Sequence, residues 1–134
     1  MNTAALVARY YAAFNAKDWA GMLACVHDEI RHDVNEGARR GGKAKFAEFL
    51  AHMDACYDEQ LKDIAIMTTP DGARAAAEFV VHGTYKQTDG DLPAAHGQTY
   101  VLPGGAFLEI RDGLITRVTT YYNLQNWLAQ VSAS

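Results

Sequence analysis

The sequence predicts an α+β fold in which a cone-shaped, curved antiparallel sheet wraps around helices of the N-terminal half. Apolar residues recur at helical spacing up to about residue 56. From about residue 59 they alternate with polar residues, as in strands that bury one face. Gly83 and the run Pro103-Gly104-Gly105 fall inside predicted strands, where they indicate the bends of a curved sheet.

The helical periodicity predicts three helices before the sheet and one after it. The first runs from about Thr3 to Asn15, and the third from about Lys43 to Cys56. Asp18 can cap a second helix, with Val26 at the end of its apolar face. A short helix from about Leu124 to Val131 closes the chain.

Alternation and turn residues predict the strands. Thr69-Pro70-Asp71-Gly72 is a β-turn sequence, and Asp112-Gly113 is typical of a hairpin. Pro103 predicts an edge or a bulge within its strand, because proline has no N–H for the ladder. The expected strands cover residues 29–34, 59–68, 73–85, 97–111 and 114–123.

Composition limits the classes of function. A length of 134 residues predicts one domain over residues 1–134, and a net charge of −4 argues against a nucleic-acid partner. The chain lacks a run of eighteen apolar residues, so we expect no membrane span. Cys25 and Cys56 lack a CxxC spacing, which favours reduced packing residues in a cytoplasmic protein. We predict no metal site, because the metal-binding residue types show no tight ligand spacing.

Polar residues at the end of the first predicted strand indicate a ligand pocket. Ile30 is followed by His32, Asp33 and Asn35, which are costly to bury unless water or a ligand meets them. If Ile30 faces the core, strict alternation puts His32 inside the sheet and Asp33 outside. Asn35 and Glu36 are candidates for the mouth of the pocket.

Aromatic residues indicate the wall of the same pocket. Tyr10 and Phe14 share a face of the first helix, and a phenol beside an apolar cavity can donate to an oxyanion. Tyr57, Phe107 and Tyr122 are interpreted first as core aromatics, and near a cavity they would suit a flat carbocycle.

The chain resembles the ketosteroid isomerase and SnoaL-like branch of the nuclear transport factor 2-like (cystatin-like) superfamily. The resemblance rests on Tyr10 to Asp18, on His32-Asp33-Val34-Asn35 and on Gly41-Gly42. The ending from Tyr121 to Trp127 is similar to that of the ketosteroid isomerase-related proteins.

The resemblance implies an isomerase- or cyclase-like reaction by proton transfer. It assigns the general base to Asp33 and the oxyanion donor to Tyr10, while His32 tunes Asp33 or binds a polar substituent. The resemblance thus puts Asp33 inside the pocket, whereas strict alternation puts it outside, and both residues remain candidates. Gly105 stands where a second oxyanion donor is implied, and the loss of such a donor typically costs about 10²–10³ in rate. Efficient steroid isomerisation is therefore not expected.

The remaining expectations concern ligands and partners. Proton transfer needs no cofactor, and the ligand would be a small hydrophobic carbonyl compound. The resemblance implies a homodimer formed through the outer face of the sheet. Two alternatives stay open at this stage: a non-catalytic binding protein of the same shape, and an epoxide hydrolase with a carboxylate–arginine–carboxylate group.

Overall fold

The computed structural model describes residues 2–35 and 37–132. Glu36, a predicted mouth residue, lies outside the described residues. Within them, the helices are α1 (Thr3–Asn15), α2 (Trp19–Ala24), α3 (Lys43–Cys56) and α4 (Leu124–Ser132). The strands in the same part of the chain are β1 (Val26–Val34), β2 (Arg40–Gly41), β3 (Tyr57–Thr68), β4 (Arg74–Tyr85), β5 (Thr99–Arg111) and β6 (Leu114–Tyr122).

The strands form one open, curved sheet in the order β2-β1-β6-β5-β4-β3. Neighbouring strands pair antiparallel except β1 and β6, which run parallel. The α+β prediction is confirmed, and the parallel pair qualifies the expectation of a fully antiparallel sheet. A parallel pair requires a long connection, and here most of the domain lies between the two strands.

Local capping explains where the first two helices begin. The Asn2 side chain accepts a hydrogen bond of 2.7 Å from the N–H of Ala5, which caps α1. Asp18 accepts a hydrogen bond of 2.9 Å from the N–H of Gly21 and caps α2, as predicted. Val26 is not on α2 as predicted, because the helix ends at Ala24 and Val26 begins β1.

The register shift in β3 does not lie at the positions where the sequence predicted bends. β5 pairs in continuous register with β4 through Pro103. The β6 ladder begins only at Gly104, so Pro103 has one partner strand and its missing N–H is tolerated. A register shift instead lies in β3 between Lys62 and Ala65, where Asp63 has a left-handed φ of 55°. An extra residue at this point bends the strand.

One face of the sheet, the inner face, packs against the helices and forms the core. Leu6, Val7 and Tyr11 of α1 are buried against it, and Phe79 of β4 lies with its ring centroid 5.6 Å from that of Tyr11. The other face, here called the outer face, is turned away from the helices. In the described residues, no helix has the length and apolar character needed to cross a membrane.

Candidate functional site

An apolar cavity of about 440 Å³ lies between the inner face of the sheet and helices α1, α3 and α4. Its volume is in the range of small-molecule sites, which are mostly apolar with a few placed polar groups. The wall consists largely of aliphatic and aromatic side chains, among them Phe46, Phe49, Leu50, Phe79, Leu102 and Val118.

Most of the sequence-predicted site residues are brought together in this cavity. Those that line it are Tyr10, Phe14, His32, Asn35, Tyr57 and Tyr122. Asn35 is also structural, since its side-chain oxygen accepts a long hydrogen bond of 3.4 Å from the N–H of Tyr122.

His32, and not Asp33, faces the cavity from β1. His32 is 3% exposed, and its ring lies 5.0 Å from that of Phe46 and 4.4 Å from that of Phe49. Burial, with a smaller contribution from the positive charge of Arg40, lowers the pKa of His32 to about 4. The imidazole is therefore neutral at physiological pH.

The expected position of Asp33 inside the cavity is wrong, because the alternation of β1 turns its side chain to the outer face. Both of its carboxylate oxygens accept hydrogen bonds from Arg39, at 2.7 and 3.0 Å. The Thr119 hydroxyl donates a third, at 2.8 Å. The hydrogen bond from Arg39 is the main reason that the pKa of Asp33 lies below its usual value. Asp33 is thus an engaged ion-pair partner on the opposite side of the sheet from the cavity.

Phe107 also lies outside the cavity, contrary to the prediction that it forms part of the wall. It is 51% exposed on the outer face, with its ring centroid 5.8 Å from that of Tyr121 in an edge-to-face arrangement. The residues of β5 that alternate with Phe107 point to the inner face instead; among them are Tyr100, Leu102 and Gly104.

The cavity contains a carboxyl group that the sequence interpretation missed, that of Glu59 on β3. The Tyr100 hydroxyl donates a hydrogen bond of 2.5 Å to its Oε2 atom. Burial raises the pKa of Glu59 above its usual value, and the hydrogen bond from Tyr100 opposes that rise. The sequence did contain a signal for this position. Glu59 and the buried Leu61 are two residues apart in one strand, so their side chains point to the same face of the sheet.

A glycine makes the contact between Tyr100 and Glu59 sterically possible. Gly83 of β4 lies directly opposite Tyr100 of β5 in the antiparallel ladder. A Cβ atom at Gly83 would come within 2.3 Å of the Tyr100 ring, far inside van der Waals contact. The absence of a side chain therefore lets the Tyr100 ring lie across β4 towards Glu59.

A second acidic group at the cavity is Asp89, in the connection between β4 and β5. Its Oδ2 atom accepts a hydrogen bond of 2.6 Å from the Tyr57 hydroxyl, and its Oδ1 atom lies 2.8 Å from Nε2 of His52. Asp89, His52 and Cys56 each place one potential metal-ligand atom within 4.8 Å of the others. Both oxygens of Asp89 are already engaged, so Asp89, His52 and Tyr57 form a hydrogen-bonded network.

Two phenols of α1 complete the polar lining. Tyr10 and Tyr11 are both buried, with ring centroids 5.0 Å apart, and both line the cavity. The Tyr11 hydroxyl has no hydrogen-bond partner in the part of the chain that the structure describes. Burial raises the pKa of both phenols, so each remains protonated and able to donate.

Arg111 and Arg117, considered for an epoxide hydrolase-like carboxylate–arginine–carboxylate group, do not line this cavity. Arg117 lies 3.1 Å from Glu109, and Arg111 lies 3.2 Å from Glu29. Arg40 is the one lysine or arginine among the described residues that lines the cavity.

The comparisons with known proteins agree with this architecture. The family model of the SnoaL-like domain matches residues 7–118. No curated protein matches the chain.

The chain is similar to several solved structures over nearly all of its length. A candidate polyketide cyclase from Pseudomonas putida KT2440 is 54% identical, with a TM-score of 0.97 over 98% of both chains. A candidate polyketide cyclase from Silicibacter sp. TM1040 is 57% identical, with a TM-score of 0.96 over 98% of this chain and 96% of the other. An NTF2-like protein from Burkholderia xenovorans, 16% identical over 96% of this chain and 95% of the other, shares the fold with a TM-score of 0.77.

Proposed function

Because this chain belongs to the SnoaL-like domain family, we propose that it is an isomerase- or cyclase-like enzyme acting by proton transfer. The substrate would be a small hydrophobic carbonyl compound bound in the apolar cavity. The observation that carries the proposal is the Glu59–Tyr100 pair, a carboxyl group of raised pKa at the wall of that cavity.

In the proposed reaction Glu59 is the general base. Its Oε2 atom accepts the hydrogen bond from Tyr100, so Oε1 remains to take a proton from the carbon next to the substrate carbonyl. The electron pair of the broken C–H bond moves onto the carbonyl oxygen as an enolate. The Tyr11 hydroxyl, which has no partner among the described residues, can donate to that oxygen.

The enolate can react in two ways, and neither reaction needs a cofactor. Return of the proton from Glu59 to a different carbon gives an isomer. Attack of the enolate carbon on a second carbonyl group of the same molecule forms a ring, and Glu59 then gives its proton to the new alkoxide. Similarity to candidate polyketide cyclases supports the second outcome.

Hydrogen–deuterium exchange tests the proposal without knowledge of the natural substrate. The α-protons of a hydrophobic cyclic ketone such as 2-tetralone are followed by NMR in D₂O, with the wild-type protein and Glu59→Gln. We expect the wild type to accelerate exchange and the variant to lose about 10²-fold or more, as is usual for a general base. Asp33→Asn is the matched control, since it changes a carboxylate outside the cavity, and it should leave exchange unchanged.

Two results would contradict this mechanism. Equal exchange by the wild type and Glu59→Gln would place the base elsewhere. Binding of such ketones without acceleration of exchange would favour the alternative function, a non-catalytic small-ligand binding protein.

We further propose that the protein is a homodimer and resides in the cytoplasm. The large apolar side chains that are about half exposed are Met67, Val101, Phe107 and Tyr121. All four lie on the outer face of the sheet, which supports association of two copies through that face. Cys25 and Cys56 are buried free thiols, as a reducing compartment favours.

A further inference from the structure

Three buried polar side-chain atoms have no hydrogen-bond partner among the residues that the structure describes. They are the hydroxyl of Tyr11, Nδ1 of His32 and Nη1 of Arg40. All three side chains line the same cavity. Leaving a buried polar group unpaired is costly, so proteins keep few such groups. Three in one cavity indicate that a ligand supplies the missing partners.

His32 and Arg40 form one polar cluster. They are directly opposite each other where β1 pairs with β2. Both contact the same ring, since the His32 centroid lies 4.4 Å from that of Phe49 and the Arg40 Cζ atom lies 5.0 Å from it. A guanidinium has five N–H donors, so Arg40 beside the Phe49 ring still has donors available to an acceptor, and its Nη1 atom has no partner among the described residues.

Among the described residues, no carboxylate compensates the positive charge of Arg40. No carboxylate of the described residues lies within ion-pair distance of Arg40, whereas its sequence neighbour Arg39 is paired with Asp33. Glu59 and Asp89, the carboxyl groups that line the cavity, have their own hydrogen-bond partners. A partly buried cation without a counter-ion is costly, and a bound anion would remove that cost.

We propose that His32 and Arg40 form a carboxylate subsite, so that the ligand of this cavity is a hydrophobic carboxylic acid. The guanidinium donates to the carboxylate, and the neutral imidazole of His32 donates through one ring N–H. The carbon skeleton of the ligand then lies against the aromatic wall. This inference rests on the proposed function for the reaction. It adds the class of substrate, a hydrophobic carboxylic acid that also carries a ketone group.

Equilibrium binding of a matched pair of probes tests the subsite. Naphthalene-2-carboxylate and naphthalene-2-carboxamide have nearly the same shape and differ in charge. Titration calorimetry with the wild-type protein at neutral pH should show the acid binding at least about tenfold more tightly, as a charge-assisted hydrogen bond requires. Arg40→Gln should remove this preference and leave the amide unaffected, while Arg40→Lys should retain part of it.

Arg39→Gln is the matched control, since it removes a neighbouring positive charge that lies outside the cavity and is paired with Asp33. We expect it to change neither affinity. Equal affinities of the two probes for the wild type, no binding of the acid, or equal losses in Arg39→Gln and Arg40→Gln would each overturn the proposal.

A second readout needs no variant and so does not depend on the variants folding. The ring protons of His32 report its pKa by NMR, and burial beside Arg40 holds that pKa at about 4 in the free protein. A bound carboxylate should raise it, and the bound amide should not. No rise with saturating acid would contradict the subsite.

Neither binding measurement involves turnover. Loss of the carboxylate preference while Glu59-dependent exchange persists would overturn the subsite alone, so its failure is distinguishable from failure of the proposed reaction.

Discussion

At the scale of single residues, the proposed general base Glu59 should determine how the exchange rate depends on pH. A general base works only when ionised, so the exchange rate should fall as the pH falls through the pKa of Glu59. Burial raises that pKa above the usual glutamate value of about 4.3. Tyr100→Phe removes the hydrogen bond that opposes the rise, so the midpoint of the pH–rate profile should move further up. A midpoint that stays in place would mean that Tyr100 does not position the base.

The same carboxyl should lower the stability of the folded protein. Its pKa is higher in the folded than in the unfolded state, so the cost is absent below the unfolded value of about 4.3 and grows as the pH rises through the folded value. Glu59→Gln keeps an acceptor for Tyr100 and removes the charge. We expect it to stabilise the protein by up to about 1 kcal/mol at neutral pH, with no gain near pH 4.

Urea unfolding at the two pH values measures this difference. The positive charge of Lys17 also favours the ionised form of Glu59. A variant less stable than the wild type at neutral pH would show that this charge and the hydrogen bond from Tyr100 outweigh the burial of the carboxylate.

The face of the sheet that a site residue takes was predictable where the alternation of side chains along a strand decides it. Alternation from Ile30 puts His32 inside, and the structure agrees. The residue-by-residue resemblance put Asp33 inside, but a role transferred by alignment carries no information about which face a side chain takes. Alternation with Leu61 could have placed Glu59 on the inner face, but its hydrogen bond with Tyr100, 41 residues away, has no local signal in the sequence.

At the scale of secondary-structure elements, the β4–β5 pair is what brings Tyr100 to Glu59. Gly83→Ala would place a Cβ atom within 2.3 Å of the Tyr100 ring, so the ring or the strand must move. We expect a loss of about 1–3 kcal/mol, typical of overpacking, and slower exchange. Thermal unfolding and the exchange assay measure the two effects.

Gly113→Ala is the comparison variant for Gly83→Ala. Gly113 lies in the β5–β6 turn with a φ of 73° and open space around it, so the substitution strains a turn without touching the cavity. It should lower stability and leave exchange unchanged. Unchanged exchange in Gly83→Ala as well would contradict the role given to the Tyr100 contact.

The elements themselves were predictable to different degrees. The bounds of α1 and α3 were predicted to the residue, because helical spacing and caps are local signals. The two-residue strand β2 and the parallel β1–β6 pair were not predicted. β1 and β6 are far apart in sequence, so their pairing is decided by the packing of the whole sheet. β2 pairs with the nearby β1, but two residues are too few to show alternation.

At the scale of the whole molecule, the outer face carries apolar surface that a monomer would leave in water. Phe107 and Tyr121 pack edge to face and remain about half exposed, with Met67 on the same face. Exposed apolar patches of this kind are typical of protein interfaces. We expect the protein to be a dimer in sedimentation velocity at micromolar concentration, and Phe107→Glu to shift it to the monomer.

The control introduces the same charge away from the sheet. Ala51 is exposed on α3, so Ala51→Glu should leave the dimer intact. Phe107 lies on the opposite face from the cavity, so a monomeric Phe107→Glu that still accelerates exchange would show that each subunit has a complete site. Loss of exchange together with dissociation would mean that pairing of the sheets maintains the curvature on which the cavity depends. A wild-type monomer at high concentration would rule out the outer face as a stable dimer interface.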